Sequence, residues 1–305
     1  MATDVNRGYF PFQYYEGFLD YLDIYRNDIE VITYNDLEWG DDYNYLENYP
    51  DEWSRWKKSL RMGTRDATKV YVVIQHDVDS KPELTDMALE AEAIRQLRSN
   101  IMLFNNRVRR KHYQDTGEVT FDTKYQIDFE RWKDLAKDGF VFCYHANSFE
   151  QSGFDAARSM ETFVHDVKEL RTHFPIAFFS PHGGARSPEG KSNNSLSIPA
   201  TLKKEIRWVA NGHTPRFDGV FSDGGPNSLK RDPEARDLRD FVRTWKPGGR
   251  YRVLTHPQYY SPQCGSSPRL AEAHWYRELI AECKSKSYDS WAGVPPPQSR
   301  KRIQS

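Results

Sequence analysis

Residues 70–94 read VYVVIQHDVDSKPELTDMALEAEAI. The first five, Val70-Tyr71-Val72-Val73-Ile74, form an unbroken apolar run rich in β-branched residues. A strand buried on both faces reads this way, whereas a half-exposed strand alternates. Ser80 is the candidate N-cap of a following helix, with Pro82 in its first turn and Glu83 three residues on. Leu84, Met87, Ala88, Ala91 and Ile94 then recur at helical spacing and predict the buried stripe of that helix. The stretch is one strand–loop–helix unit.

The unit repeats down the chain. Further short apolar runs are IMLF (101–104), FVFCY (140–144), IAFF (176–179), IRWVA (206–210), VF (220–221) and YRVL (251–254). Residues 126–138, 154–173 and 234–245 read as helices between them. Alternation of this kind predicts an α/β fold with a parallel sheet closed into a barrel. Upstream, residues 9–26 and 52–61 place aromatic and aliphatic side chains at helical spacing, joined by an acidic, Tyr-rich loop. Residues 1–67 therefore read as an N-terminal helical cap packed on a barrel of residues 68–288. Residues 289–305, rich in Pro and charge, read as a flexible tail with Arg300, Lys301 and Arg302 in solvent.

Composition excludes several classes of function. In 305 residues, 43 Lys and Arg face 44 Asp and Glu, and the net charge of −1 lacks the basic excess of a nucleic-acid binder. Cys143, Cys264 and Cys283 are too few for a disulfide framework and suit a reducing compartment. No apolar run is long enough to span a bilayer. The opening MATDVNRGYFPFQYYEGF lacks a basic segment followed by an apolar one, so a cytoplasmic protein is expected. Mean hydropathy is −0.83, yet 14% of residues are aromatic, enough to build a core.

The chemistry lies just after the strands. Asp77 and Asp79 follow the first run, His145 the third, His182 the fourth, Asp223 the sixth and His256 the last. In a parallel α/β barrel these positions share the C-terminal rim, where active sites are built. Asp79 reads either as a ligand or as a cap of the next helix, and His182, between Pro and Gly-Gly, either as a site residue or as part of a turn. His145 beside Asp79 reads as a metal ligand. A mixed histidine and carboxylate cluster suits zinc or a similar divalent ion. Such an ion acidifies a bound water and polarises a carbonyl. Asp77 is placed to take the proton of that water, and His256 to protonate a leaving amine. His173 and His213 lack such a setting, and Cys143, within an apolar run, reads as a small core residue.

The succession HDVD, GFVFCYH, SPHGG, SDGG and LTHP over residues 68–260 resembles the polysaccharide deacetylase superfamily, the NodB-homology enzymes of carbohydrate esterase family four. The resemblance implies a deformed (β/α)7 barrel. It implies Asp77 as base, Asp79 and His145 as metal ligands, His256 as general acid, and Asp223 as the carboxylate that tunes the catalytic groups. Three departures stand out. Val78 separates aspartates that are adjacent in the family motif. Phe149 stands where a second histidine is usual, so the third ligand is His182 or, failing that, Glu150. The arginine that orients the base is missing, and Arg107, Arg186 or Arg252 would have to stand in.

The expected function is a metal-dependent deacylase, an N-deacetylase or deformylase, using Zn2+ or else Co2+ or Ni2+. Its expected substrate is an amino sugar in an intracellular surface-polysaccharide precursor. Two rivals follow from the same residues. One is a catalytically inactive carbohydrate-binding member of the fold. The other is a glycosyltransferase that reads Asp77-Val78-Asp79 as an Asp-x-Asp motif.

Overall fold

The computed structural model of the protein describes residues 10–37, 66–183, 187, 189–195, 202, 205–209, 217–224, 237–261, 277–278, 280–281, 291 and 294–297. The segments read as cap loop and second cap helix, the barrel segments outside these ranges and most of residues 289–305, with Cys264, Cys283, Arg186 and His213, lie outside the described residues. Trp291 and Val294 pack on the core that holds Tyr14 and Phe18, so that part of the expected flexible tail is docked.

Elements are numbered in chain order. Strand β3 (Val70–Asp77) is buried at all eight positions, as its unbroken apolar run predicts. One edge of β3 pairs with β9 (Arg250–Thr255) from Tyr71↔Arg250 to His76↔Thr255. The other edge is shared. Its first half pairs with β2 (Ile29–Ile32) and its last residues with β4 (Asn100–Leu103). Beyond β4 follow β5 (Val141–Ala146), β6 (Phe178–Pro181) and β7 (Arg207–Trp208), and beyond β9 lies β8 (Gly219–Ser222). The order β7-β6-β5-β4-β3-β9-β8 is parallel throughout and curls into a half-barrel of seven strands. This is the expected deformed (β/α) barrel, and every one of the seven apolar runs supplies a strand. A separate pair joins β1 (Phe10–Pro11) to β10 (Tyr260–Ser261).

Helices α1 (Phe12–Ile24), α2 (Pro82–Ile94), α4 (Phe129–Lys137), α6 (Ala156–Arg171) and α7 (Leu238–Arg243) fall within the predicted segments. Asp128, Asp155 and Asp237 cap α4, α6 and α7, each carboxylate accepting a backbone N–H three residues on. Two short helices, α3 (Arg110–Thr116) and α5 (Ser148–Gln151), carry no long apolar period and escaped prediction.

The N-terminal segment contributes more than a cover. Its strand β2 hydrogen-bonds within the main sheet. Its helix α1 packs Tyr14, Tyr15, Phe18 and Leu22 into one core with Val70, Val72 and Ile74 on the outer face of β3. Tyr71 and Val73, on the opposite face, fill the barrel interior with Met102, Val141, Cys143 and Phe178. Cys143 is thus a core residue, as read. Strand alternation carries on to the rim, so Gln75 and Asp77 share the inner parity and His76 the outer one.

Helix α2 corrects two expectations. Lys81, not Ser80, is the N-cap, in a left-handed conformation at φ 51°, because Pro82 fixes the first helical position. Its buried face is also rotated from the predicted stripe. Thr85, Ala88, Leu89, Ala91 and Glu92 are buried, whereas Ile94 is 75% exposed. The cause is a polar group that periodicity counts as outward. Fully buried Glu92 accepts from Tyr15 Oη, from Ser99 Oγ at 2.6 Å and from His76 Nε2 at 2.7 Å. His76 Nδ1 meets the Thr255 hydroxyl at 2.7 Å. This network ties α1, α2, β3 and β9 together.

Glu92→Ala would strand three buried donors. Each unsatisfied group costs about 1–3 kcal/mol, so a loss of about 3 kcal/mol or more is expected in urea unfolding. A loss below about 1 kcal/mol would mean that the donors find other partners.

Candidate active site

The six rim residues come from five strand ends. Asp77 ends β3, and the chain leaves the sheet there, with Val78 N donating to Met102 O and Asp79 N to Asp77 O. His145 is the penultimate residue of β5, His182 follows β6, Asp223 follows β8 and His256 follows β9. Asp79 is the hub. Its Oδ1 lies 3.1 Å from His145 Nε2 and 3.8 Å from His182 Nε2, while its Oδ2 lies 3.8 Å from His256 Nε2. The ligand atoms of Asp79, His145 and His182 all lie within 4.8 Å of one another.

This donor set fits a divalent ion. Zinc bonds of about 2.0–2.1 Å place tetrahedral ligand atoms about 3.3 Å apart, close to the separations from Asp79. The His145 imidazole is also correctly turned. The carbonyl of Ser180 can only accept, so His145 Nδ1 carries a proton and donates to it at 3.1 Å, leaving Nε2 for the site. His182 Nδ1 faces Glu150 Oε2 at 3.3 Å, and Arg110 Nη2 lies beside the same ring, 3.3 Å from Nδ1 and 3.2 Å from Nε2. Phe104 stacks on His145 with centroids 5.0 Å apart and meets His182 edge-on at 5.0 Å.

The electrostatics follow from burial against neighbours. Burial pushes Asp79 toward the neutral acid, but His182, His145 and His256 together hold it far below the usual carboxylate range. Burial disfavours a charged His145, yet Asp77 and Asp79 raise its pKa. In His182 burial prevails and the pKa falls. The proton held on His145 is therefore what a metal ion would displace.

His256 is held separately. Its Nδ1–H donates to Asp223 Oδ1 at 2.5 Å, and its backbone N–H to Asp223 Oδ2 at 2.8 Å. Tyr259 stacks on the ring at 5.0 Å. A Cβ on Gly224 would lie 2.4 Å from the imidazole Cε1, so the glycine of the SDGG stretch admits the ring. Burial would lower the His256 pKa, but Asp223 raises it to about 9.

Between the two candidates for third ligand, the structure brings His182 to Asp79 and puts Glu150 behind it. Arg110 Nε donates to Glu150 at 3.2 Å, and Asn193 bridges the Glu150 backbone N–H and the His182 carbonyl. Phe149 packs against Phe154 in the hydrophobic core, so that position does not face the site. Of the arginines considered, Arg107 pairs with Asp122. Arg252 is buried and donates to Val209 O at 2.9 Å. His173 stacks on Phe129 at 3.8 Å, as a residue without a site role. Sequence reasoning missed Asn193, Arg110 and Gln75, because none follows a strand directly with a metal-ligating side chain.

No family model matches the chain, and no curated protein matches it. Among solved structures the chain is similar to a family 4 carbohydrate esterase from Bacillus anthracis, at 14% identity over 72% of this chain and 77% of that chain, with a TM-score of 0.34. A likeness of this size carries no weight for function, which rests on the geometry of the site. No helix among the described residues is long and apolar enough to cross a membrane.

Proposed function

We propose that the protein is a metal-dependent amide hydrolase that removes an acyl group, acetyl or formyl, from an amino sugar. The observation that carries this reading is the arrangement around Asp79. Two imidazoles face one of its oxygens, and a carboxylate-paired imidazole faces the other. Asp79, His145 and His182 would hold the ion, of the zinc, cobalt or nickel class. Bound there, it would polarise the acyl carbonyl and acidify a water.

The chain's own groups supply the proton transfers. Asp77 accepts a proton from the attacking water as the new C–O bond forms. Its Oδ2 is 3.8 Å from His145 Nε2 and so borders the ligand cluster. His256 Nε2 delivers a proton to the nitrogen as the C–N bond breaks, releasing a carboxylic acid and a free amine. Asp223 fixes the tautomer and keeps the imidazole charged. Three histidines around Asp79 favour this reading over an Asp-x-Asp nucleotide site, which needs none of them. An amino-sugar substrate, within a glycan precursor, is supported by the motif order over residues 68–260.

The test is elemental analysis combined with an acyl-release assay on N-acetyl- and N-formyl-glucosamine, free, nucleotide-linked and in oligomers. About one ion per chain is expected, with release abolished by a chelator and restored by metal. A protein that binds no ion after saturation, or a loaded protein that deacylates none of these compounds, overturns the proposal.

A further inference from the structure

An ionised carboxylate has two equivalent oxygens, and a base needs one of them free and aimed. At Asp77 the two differ. Oδ1 accepts from Gln75 Nε2 at 2.7 Å, and Oδ2 faces His145 Nε2. Gln75 and Asp77 are two residues apart on β3 and share its inner face. Gln75 is 1% exposed, so its amide is shielded from bulk solvent. Its carbonyl accepts from the Tyr34 hydroxyl, and the charge of the Arg252 guanidinium acts on that buried phenol.

The direction of this chain follows from its carboxylate end. An ionised carboxylate can only accept. Gln75 must then turn its NH2 to Asp77 and its carbonyl to Tyr34, so the phenol donates to Gln75. The phenol is held from its own side. Tyr34 opens a short 3-10 turn (Tyr34–Asp36) closed by the reciprocal Thr33–Asp36 capping box. Its backbone N–H donates to Asn100 Oδ1 at 2.9 Å, and Asn100 Nδ2 donates to Ile74 O at 2.8 Å.

We propose that Gln75, oriented by Tyr34, is the positioning residue that claims one oxygen of Asp77 and leaves the other for the reaction. The proposal rests on the reading of Asp77 as the base. Without the Tyr34 donor the Gln75 amide is free to rotate and present its carbonyl to the carboxylate. Without Gln75 no side-chain hydrogen bond among the described residues distinguishes the two oxygens. Misplacement on the scale of 1 Å can cost about 10²-fold in rate.

The experiment compares wild type, Gln75→Met, Tyr34→Phe, their double and Asp77→Asn, by crystal structure, metal content and acyl-release kinetics on N-acetylglucosamine oligomers. In Gln75→Met the Asp77 carboxylate is expected to turn away from its wild-type orientation. Its kcat should fall about 10–100-fold with KM and bound metal unchanged. Tyr34→Phe should cost less, and nothing further in the Gln75→Met background, a non-additivity that an independent structural role would not show. An unmoved Asp77 in Gln75→Met, or additive effects, overturns the proposal. Should Gln75→Met not fold, wild-type kcat and an unmoved Asp77 in Tyr34→Phe overturn it alone. Wild-type kcat in Asp77→Asn sinks the base assignment instead, and so separates the two failures.

Discussion

His256→Ala is expected to lower kcat for amide hydrolysis by about 10²–10⁴ while bound metal stays at the wild-type level. An amide anion is a very poor leaving group, so the departing nitrogen needs a proton as the C–N bond breaks. His256 follows β9 with Pro257 behind it, and Asp223 grips both its ring and its backbone N–H. Burial works against the charged ring, and Asp223 outweighs it, raising the pKa to about 9. The acid is therefore charged at neutral pH, and activity should fall on the alkaline side as it deprotonates. Asp223→Asn is expected to move that alkaline limb to lower pH.

The same shift links pH to stability in the metal-free protein. The folded pKa lies above the unfolded value of about 6.5. The stabilisation is fully present below about pH 6.5 and is lost as pH rises through about 9. In urea unfolding the gap between wild type and Asp223→Asn should narrow across that window. Metal analysis and rate belong on one His256→Ala sample. Loss of metal with activity would make His256 a ligand, and full activity would remove the acid role.

Asp79→Asn and His145→Ala are each expected to lose most of the bound ion. Asp79 is the residue that all three histidines face, and an amide in its place offers a weaker, uncharged donor. His145 contributes a ring whose orientation the Ser180 carbonyl sets. His182→Ala should weaken affinity at least about 10-fold, and Glu150→Gln about 10-fold because it orients His182 without touching the ion. Affinity should rise with pH, since the ion competes with the protons that Asp77 and Asp79 stabilise on His145. Elemental analysis after gel filtration reads each outcome. If wild type saturated with zinc, cobalt or nickel carries no ion at these side chains, the hydrolase reading fails with it.

Much of the fold was legible because its signals are local. Strand β3 needs both faces covered, and that requirement is written into Val70–Ile74 without reference to any neighbour. The segments that hold α4, α6 and α7 were equally legible from their own residues, whereas their caps at Asp128, Asp155 and Asp237 were not read. Strand β2 was missed because Ile29–Ile32 is short and partly exposed, and its value as a strand comes only from the free lower edge of β3. The buried face of α2 was misread because Glu92 counts as polar until Tyr15, Ser99 and His76 surround it.

For the site, the sequence by itself determined which residues stand at the rim. A residue that follows a strand must emerge at the end of that strand, so Asp77, Asp79, His145, His182, Asp223 and His256 were placed together by chain continuity and a parallel sheet. Only the tertiary structure decided how they meet. It brought His182 to Asp79 with Glu150 behind it, paired His256 with Asp223, and gave one oxygen of Asp77 to Gln75. These are contacts between side chains on different strands and helices. They depend on strand order, sheet curl and the turn of each ring, and periodicity along the chain carries no record of a hydrogen bond made across space.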